Sequence, residues 1–355
     1  LCAMQNASLP KGTRDFSPEV MNKRNFIIKT ITDIYRKYGF QAIETPAMEH
    51  LSTLTGKYGD EGDKLLYKVL DSGDFLSKVD TSDVELSSNS ILHKIASKGL
   101  RYDLTIPFAR YVVQHRNDIT FPFRRFQVQP VWRADRPQKG RYREFWQCDA
   151  DVIGTASLTS ELDLIQIYHE VLTGLGLKNY VLKLNHRKLL EAIAQTCGMD
   201  SNFRALTVAI DKLDKIGWEG VSKELSNNFS EDSILKLEKF LTQLTLNKED
   251  IAKLDGLLTD GEEKDLALSD LKFLESSLSR LNSKVNIELD LSLARGLDYY
   301  TGCIFEAIIP EGGVGSVSGG GRYDDLTGVF GLKDVSGVGI SFGIDRIYDV
   351  LEKLN

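Results

Sequence analysis

Residues 131–147 read VWRADRPQKGRYREFWQ, a basic stretch in which Pro137 and Gly140 predict a loop. Residues 123–132 and 144–153 on either side are typical of strands. Guanidinium groups bind phosphate with two parallel hydrogen bonds, and the ring of Phe145 is suited to stack on a base. The stretch therefore predicts either a nucleotide-binding hairpin or a solvated basic hairpin. One acid, Asp135, stands among the cations of residues 124–143, which are Arg124, Arg125, Arg133, Arg136, Lys139, Arg141 and Arg143.

A second informative stretch, residues 293–302, reads LARGLDYYTG. Apolar residues alternate with polar ones before it, and residues 303–309 after it are apolar, so strands are expected on both sides. An arginine and two tyrosines between glycines suit a pocket for a small polar ligand. The alternative is a polar hairpin whose side chains bond to one another.

Composition limits the classes of protein to which the chain can belong. The 355 residues, 42% hydrophobic and 27% charged, fit a globular protein of two or so domains. No apolar run approaches the roughly 18 residues of a membrane helix, and residues 1–10 do not resemble a secretory signal. The four cysteines and five histidines have no metal-ligand spacing, and the cysteines suggest reduced thiols in the cytoplasm. A net charge of −7 argues against a general nucleic-acid binder but leaves room for a local basic site.

The remaining patterns predict an α+β fold with a mostly antiparallel sheet. Ser17 and Pro18 begin a helix that Gly39 ends, and Ser160 is expected to cap another. Asp103 and Asp151 lie in strand-like contexts, either on an exposed face or in a pocket. The segment at 318–324 is expected to be a glycine-rich turn, and residues 72–99 a loop or insertion. The other predicted strands are 40–45, 101–105, 180–184, 285–309, 314–318 and 338–342, and the other predicted helices are 187–197, 343–354 and a small helical insert at 200–284.

Together these segments resemble the histidyl-tRNA synthetase family of class II aminoacyl-tRNA synthetases. Residues 11–15, with the helix and strand that end at Pro46, resemble motif 1, which forms the dimer interface. Residues 126–154 resemble motif 2, and residues 337–346 resemble motif 3. The sequences RGLDYY (295–300) and GGGRYD (319–324) are similar to the two signatures peculiar to the histidine enzymes. The resemblance extends from residue 10 to residue 355.

The resemblance implies a role for each candidate residue. In the family, the matching arginines bind the phosphates and balance their charge during catalysis. Arg133 would contact the α-phosphate and the histidine carboxylate, Arg141 would hold the distal phosphates, and Arg295 would bind histidine and stabilise the α-phosphate. Phe145 and Arg346 would enclose adenine. The amino acid would be bound by Asp103, Thr105 and Gln147 at its α-amino group, by Asp151 and Tyr300 at the two imidazole nitrogens, and by Tyr299 in the pocket wall. Many relatives have glutamate in place of Asp103 and Asp151. Contacts with the tRNA acceptor end are assigned to Arg136, Gln138 and Lys139.

The resemblance also implies the reaction and the partners. Histidine would be activated by ATP with Mg2+ to histidyl-adenylate and then transferred to the terminal ribose of tRNA(His), by a cytoplasmic homodimer without membrane contact. Catalysis would depend on positioning and charge stabilisation rather than on a protein nucleophile. The expected domains are a catalytic domain of residues 10–199 and 285–355 and a helical insertion of residues 200–284. The anticodon-binding domain that follows motif 3 in the family is absent from this sequence.

Two other interpretations remain at this point. The same scaffold serves regulatory proteins that have lost catalysis, such as the regulatory subunit of histidine biosynthesis. Arg133, Arg141, Arg295 and Arg346 are all present, and this favours an enzyme. A class II enzyme for another amino acid is disfavoured by the context of Tyr299 and Tyr300.

Overall fold

The computed structural model describes residues 7–56, 59–77, 79, 88–241, 244–294 and 300–354. Its α+β architecture of two sheets flanked by helices agrees with the predicted fold class. The strands are β1 (Gln41–Ala42), β2 (Met48–His50), β3 (Lys68–Val69), β4 (Lys98–Leu100), β5 (Phe123–Trp132), β6 (Glu144–Ile153), β7 (Val181–His186), β8 (Leu244–Thr245), β9 (Ile287–Leu289), β10 (Cys303–Ile308), β11 (Ser318–Tyr323) and β12 (Gly337–Gly343). The helices are α1 (Pro18–Lys37), α2 (Leu51–Leu54), α3 (Gly59–Leu65), α4 (Ser88–Ile95), α5 (Thr105–Gln114), α6 (Thr159–Gly174), α7 (Arg187–Cys197), α8 (Phe203–Ile210), α9 (Leu213–Leu225), α10 (Glu231–Glu238), α11 (Lys248–Leu257), α12 (Glu262–Arg280) and α13 (Ile344–Leu354), with short 3-10 helices at Asp200–Asn202, Pro310–Gly312 and Leu326–Phe330.

The larger sheet has nine strands in the order β1-β5-β6-β12-β11-β10-β7-β9-β8. Its central pairs are antiparallel, while β1 with β5 and β7 with β9 are parallel. Helices α1, α6 and α13 pack against one face of the central strands. The smaller antiparallel sheet has the order β2-β4-β3. The opposite face of the central strands, partly covered by α5, is therefore where a ligand can reach the sheet.

Helix α1 forms as its sequence predicts. The hydroxyl of Ser17 accepts a hydrogen bond from the backbone N–H of Val20, and Pro18 occupies the first turn. The side chains of Ile31 and Tyr35 are fully buried, one turn apart, because the spacing of four residues keeps them on one face. The Tyr35 hydroxyl donates to the carbonyl of Cys148 at 2.8 Å, which ties α1 to β6.

The strand predicted at 101–105 is wrong, because Thr105 begins α5 and the strand before it, β4, ends at Leu100. The Asp103 carboxylate accepts a hydrogen bond from the N–H of Ile106 at 3.2 Å, as a residue before a helix commonly does. The expected loop at 72–99 is also wrong in part, since α4 and β4 lie within it. Ser160 is not a cap: α6 starts one residue earlier, and the Ser157 hydroxyl accepts from the N–H of Thr159.

The glycine-rich segment at 318–324 is a strand rather than a turn. It forms β11, which pairs with β10 on one side and β12 on the other. A Cβ atom on Gly320 would lie 2.1 Å from the carbonyl oxygen of Gly339, so the glycines allow the neighbouring backbone to approach closely. Strands β9 and β10 also occupy less of residues 285–309 than predicted, because residues 290–294 leave the sheet.

Residues 200–284 are mainly helical, as predicted, but they also contribute β8, which pairs with β9 at the edge of the larger sheet. Helix α12 packs against α7 and α6, and α10 packs against α7. His186 of β7 lies 3.1 Å from Asp270 of α12, a partly buried polar contact between the two regions. None of the helices in the described ranges is both long and apolar enough to cross a membrane.

Candidate active site

A row of polar side chains lies along one face of β6. Gln147, Asp149 and Asp151 share this face because successive side chains of a strand alternate. The residues in register on β5 are Gln127, opposite Asp149, and Arg125, opposite Asp151. The side chains of Arg125, Gln127, Asp149 and Asp151 are buried. The alternation therefore places carboxylate and guanidinium groups beneath a face that helices cover only in part.

Asp151 is held by two neighbours. Its Oδ2 lies 2.7 Å from Nη2 of Arg125, and its Oδ1 accepts a hydrogen bond of 2.7 Å from the Tyr323 hydroxyl. Burial raises the pKa of Asp151, while Arg125 and the hydrogen bond from Tyr323 act in the opposite direction. Arg125 also lies over the ring of Phe108 at 4.1 Å from its centroid. The carboxylate is thus fixed in direction before any ligand arrives.

Asp151 also lines a small pocket, whose walls come from the sheet and the start of α5. A Cβ atom on Gly339 would lie 2.0 Å from Oδ1 of Asp151, and one on Gly321 would lie 2.8 Å from the ring of Tyr300. Glycine is therefore required at both positions for these side chains to keep their places. The lining residues are Thr105, Asp149, Asp151, Tyr300, Gly319, Gly320, Tyr323, Gly339, Ile340 and Ser341.

The side of the pocket formed by the start of α5 depends on Arg101. This arginine is buried and donates to the carbonyl oxygens of Thr45 at 2.7 Å and Pro130 at 2.9 Å. Burial lowers its pKa to about 10. Because it ties the segment before Asp103 to β5, it sets the position of Asp103 and Thr105 relative to the polar row.

Arg133 lies at the end of β5, where the basic hairpin leaves the sheet. Its Nε donates to the carbonyl of Tyr102 at 3.1 Å, and its guanidinium lies 4.2 Å from the ring centroid of Tyr102 and 5.1 Å from that of Phe145. Arg133 thus joins the hairpin to the segment that carries Asp103. Phe145 is on the same face of β6 as the polar row, four residues before Asp149.

The tip of the hairpin is a tight, exposed turn. The backbone groups of Gln138 and Arg141 bond to each other at 3.1 and 2.8 Å, and Gly140 takes a φ of 73°, which favours glycine. Arg141 is exposed and lies 3.5 Å from Asp135. Arg136, Gln138 and Lys139 are exposed as well. The tip therefore presents cations to solvent.

Helix α13 attaches to this hairpin and to α1. Arg346 donates to the carbonyl of Gly140 at 2.9 Å and to that of Ser316 at 2.7 Å. Asp345, next to it, accepts from Arg24 at 2.6 Å, from the N–H of Trp146 at 2.9 Å and from Arg14. One buried carboxylate thus joins the segment before α1, the start of α1, β6 and α13.

The structure brings Thr105, Asp151 and Tyr300 together in the pocket and places Phe145 and Gln147 on the same face of β6. Other predicted residues lie apart from the pocket: Arg136, Gln138, Lys139 and Arg141 at the exposed hairpin tip, and Arg346 on α13. Arg295 and Tyr299 lie outside the described residues. Sequence reasoning missed several residues that build the site. The alternation of β6 would have indicated Asp149, since it stands midway between Gln147 and Asp151. The strand spacing of β5 would have placed Arg125 on the same side. No local pattern signals the supporting residues Arg101, Tyr323 and Asp345.

Comparisons with known proteins agree with this architecture. The model of a family described as histidyl-tRNA synthetase matches residues 12–77 and 95–347. A histidine–tRNA ligase from Bacteroides fragilis (strain YCH46) is 56% identical over 349 residues, which are 98% of this chain and 76% of the relative. A histidine–tRNA ligase from Cytophaga hutchinsonii is 54% identical over 99% of this chain and 78% of its own length.

Solved structures show the same fold. The crystal structure of histidyl-tRNA synthetase from Nostoc sp. PCC 7120 superposes with a TM-score of 0.81 at 30% identity, over 99% of this chain and 76% of the other. A structure described as an ATP phosphoribosyltransferase regulatory subunit/histidyl-tRNA synthetase from Bacillus halodurans C has a TM-score of 0.78 at 24% identity, over 97% of this chain and 83% of the other. At that identity the second likeness concerns the fold alone.

Proposed function

Since this chain belongs to the histidyl-tRNA synthetase family and is a histidine–tRNA ligase, we propose that L-histidine binds in the pocket between β6, β11 and α5, and that ATP binds beside it along the basic hairpin. The enzyme activates histidine with ATP to histidyl-adenylate and pyrophosphate, and then transfers histidine to the terminal ribose of tRNA(His). The regulatory protein and the other class II specificities are set aside by the identity to histidine–tRNA ligases.

The observation that carries this proposal is the order of side chains along β6. Phe145 stands at the hairpin end and Asp151 at the deep end of one strand face, with Gln147 between them. Six residues of strand cover roughly 20 Å, enough for a nucleotide and an amino acid placed end to end. Adenine would lie towards Phe145 and Arg346, and the imidazole towards Asp151. The two reacting groups, carboxylate and α-phosphate, would then meet near Arg133.

The histidine side chain requires two polar partners that point in different directions, because its ring nitrogens face apart. We assign these contacts to Asp151 and Tyr300, which both line the pocket. Tyr299 completes the wall. A site built around hydrogen bonds to the ring would reject amino acids that lack them, since its buried polar groups would be left unpaired.

The α-amino group of histidine is assigned to Asp103, Thr105 and Gln147. An ammonium group donates hydrogen bonds, and carboxylate, hydroxyl and amide oxygens all accept them. Gln147 donates through Nε2 to Ser341 at 2.9 Å, and its buried Oε1 has no hydrogen-bond donor among the described residues. This side chain is thus oriented with its acceptor available to a substrate.

The phosphates are assigned to arginines. Within the guanidinium of Arg133, Nε is the nitrogen that bonds to a described residue, and the two terminal nitrogens are assigned to the α-phosphate and the histidine carboxylate. Arg141 would bind the distal phosphates, and Arg295 would stabilise the α-phosphate during attack. The described residues include no group of three or more histidine, cysteine, aspartate and glutamate side chains that could hold a metal ion. Mg2+ is proposed to enter with ATP, bound largely by phosphate oxygens.

The acceptor end of tRNA is assigned to Arg136, Gln138 and Lys139, which are exposed at the hairpin tip and suited to phosphate contacts. We assign residues 10–199 and 285–355 to the catalytic domain and residues 200–284 to the helical insertion. The cytoplasm is proposed as the location because the substrate is tRNA and Cys148, Cys197 and Cys303 are free thiols.

Tyr300→Phe tests the assignment of the pocket. Loss of the hydroxyl is expected to raise the KM for histidine by about 10-fold or more in histidine-dependent exchange of pyrophosphate into ATP, because an imidazole nitrogen would lose its partner. The KM for ATP should change by less than about 2-fold, since the ring itself remains. Equal effects on both substrates would contradict an imidazole contact. Absence of histidine-dependent exchange in the unmodified protein would contradict the proposed sites as a whole.

Homodimerisation through α1 is proposed from motif 1, with support from apolar side chains exposed on this helix. Met21 is 38% exposed and Phe26 is 56% exposed. Phe26→Glu is expected to weaken the dimer by about 10-fold or more, because exposed aromatic residues often dominate an interface. Sedimentation at micromolar concentration measures this change. Leu281→Glu, at a residue 60% exposed beyond α12, is the control and should leave the dimer intact. A monomeric unmodified protein would refute the proposal.

A further inference from the structure

Asp149 is a buried pocket residue without an assigned role. It is 2% exposed and lines the pocket together with Tyr300 and Ser341. None of the described residues donates a hydrogen bond to its Oδ1. A buried carboxylate oxygen without a donor destabilises the folded protein, so its presence at a pocket wall suggests that a ligand supplies the donor.

The neighbouring carboxylate, Asp151, differs from Asp149 in its hydrogen-bond partners. Both oxygens of Asp151 already have protein partners, Arg125 at 2.7 Å and the Tyr323 hydroxyl at 2.7 Å. Asp149 stands on the same face of the same strand, but its Oδ1 accepts no hydrogen bond from a described residue. Of the two neighbouring carboxylates, Asp149 is therefore the better candidate to accept a hydrogen bond from a ligand.

The charges around the pair also favour a ligand that donates hydrogen bonds. Three buried carboxylates, Asp103, Asp149 and Asp151, lie near two buried guanidinium groups, Arg101 and Arg125, among the described residues. An imidazole ring carries N–H donors and accepts a proton near neutral pH, so it can satisfy an acceptor and reduce the excess negative charge. A ring with only carbon atoms at these positions would do neither.

We propose that the Asp149 carboxylate shares with Asp151 the N–H of the imidazole nitrogen that faces β6, while Tyr300 contacts the other ring nitrogen, and that Asp149 so helps to select this substrate. The inference rests on the proposed assignment of the pocket to histidine. Asp151 acts beside it as a carboxylate whose direction is fixed by Arg125 and Tyr323. Burial raises the pKa of Asp149 to about 7, so the group is largely ionised at pH 8 and able to accept.

The test is the kinetics of Asp149→Asn in pyrophosphate exchange at pH 8. The KM for histidine is expected to rise by about 10-fold or more, because a charged acceptor is replaced by an amide of the same shape. The KM for ATP should stay within about 2-fold of the unmodified value. Asp163→Asn removes a partly exposed ion pair between α6 and Arg124 of β5; it is the matched control and should alter neither constant. An unchanged KM for histidine in Asp149→Asn would overturn the inference.

A competitive inhibitor identifies which end of histidine is bound. Imidazole-propionate keeps the ring and the carboxylate but lacks the α-amino group. Its inhibition constant should rise in Asp149→Asn by the same factor as the KM for histidine. If only histidine is affected, Asp149 binds the α-amino group and the imidazole contact is refuted.

A thermal unfolding midpoint of Asp149→Asn equal to that of the unmodified protein would exclude loss of fold as the cause of the higher KM for histidine. If Asp149→Asn is unstable, Asp149→Ser is subject to the same expectations and the same refutations. Lack of histidine-dependent exchange by the unmodified protein would instead count against the proposed function.

Discussion

Arg133→Ala is expected to lower the rate of histidine-dependent pyrophosphate exchange by about 10²–10³-fold, with the larger part of the loss in kcat. The reason is that charge develops at the α-phosphate in the transition state, and a fixed guanidinium stabilises that charge more than it stabilises the bound substrates. Stacking on Tyr102 and the hydrogen bond to its carbonyl already hold this side chain in one direction. Little reorganisation is therefore needed during the reaction.

Arg136→Ala is the matched control for this variant. It removes the same charge from the same hairpin, three residues further along the chain, where the side chain is exposed. Exchange should proceed at close to the normal rate, because this arginine is proposed to contact tRNA and not ATP. Equal losses in both variants would mean that the hairpin acts through its overall charge rather than through Arg133.

Arg125→Met should lower the free energy of unfolding by about 3–5 kcal/mol, because it leaves the buried carboxylates of Asp149 and Asp151 without their guanidinium. Arg125 is fully buried, and its ion pair with Asp151 measures 2.7 Å. Chemical denaturation followed by circular dichroism measures the change. Histidine binding should weaken as well, since the direction of the Asp151 carboxylate would no longer be fixed.

Two further variants test whether the loss of stability in Arg125→Met comes from the unpaired buried carboxylates. Arg124→Met removes the neighbouring arginine, whose pair with Asp163 is partly exposed, and should cost about 1 kcal/mol or less. Adding Asp151→Asn to Arg125→Met should restore part of the lost stability, because one buried charge is removed together with its partner. Strictly additive losses in the double variant would show that the two side chains do not interact.

The parts of the fold with strong local signals were predictable. The helix from Pro18 is encoded by a capping hydroxyl and a helical apolar period, and β5 and β6 by long runs on either side of a loop marked by Pro137 and Gly140. Ser318–Tyr323 was predicted wrongly because glycine is common both in turns and in strands that neighbouring backbone approaches closely. Only the tertiary contact with Gly339 distinguishes the two.

Site residues could be predicted where the residue type itself indicates the chemistry. They could not be predicted where a residue acts by holding distant segments together. Arg133 and Phe145 stood out because they flank the basic loop. Arg101 and Asp345 did not, because their partners are far away in the sequence, including Thr45 for Arg101 and Arg24 for Asp345. Buried side chains that bond to backbone carbonyls leave no periodic pattern.

The position of β12 bears on how the chain is made on the ribosome. This strand lies between β6 and β11 in the sheet, yet it is the last described strand to be synthesised, at Gly337–Gly343. Until it emerges, β6 and β11 lack the partner that each needs on one side, and unpaired strand edges invite association with other chains. A Cβ atom on Gly337 would lie 2.5 Å from Tyr323 and one on Gly339 would lie 2.0 Å from Asp151, so these two glycines let the strand fit between its neighbours. Completion of the sheet, and with it the packing of Asp151 against Gly339, thus follows the synthesis of every other described strand.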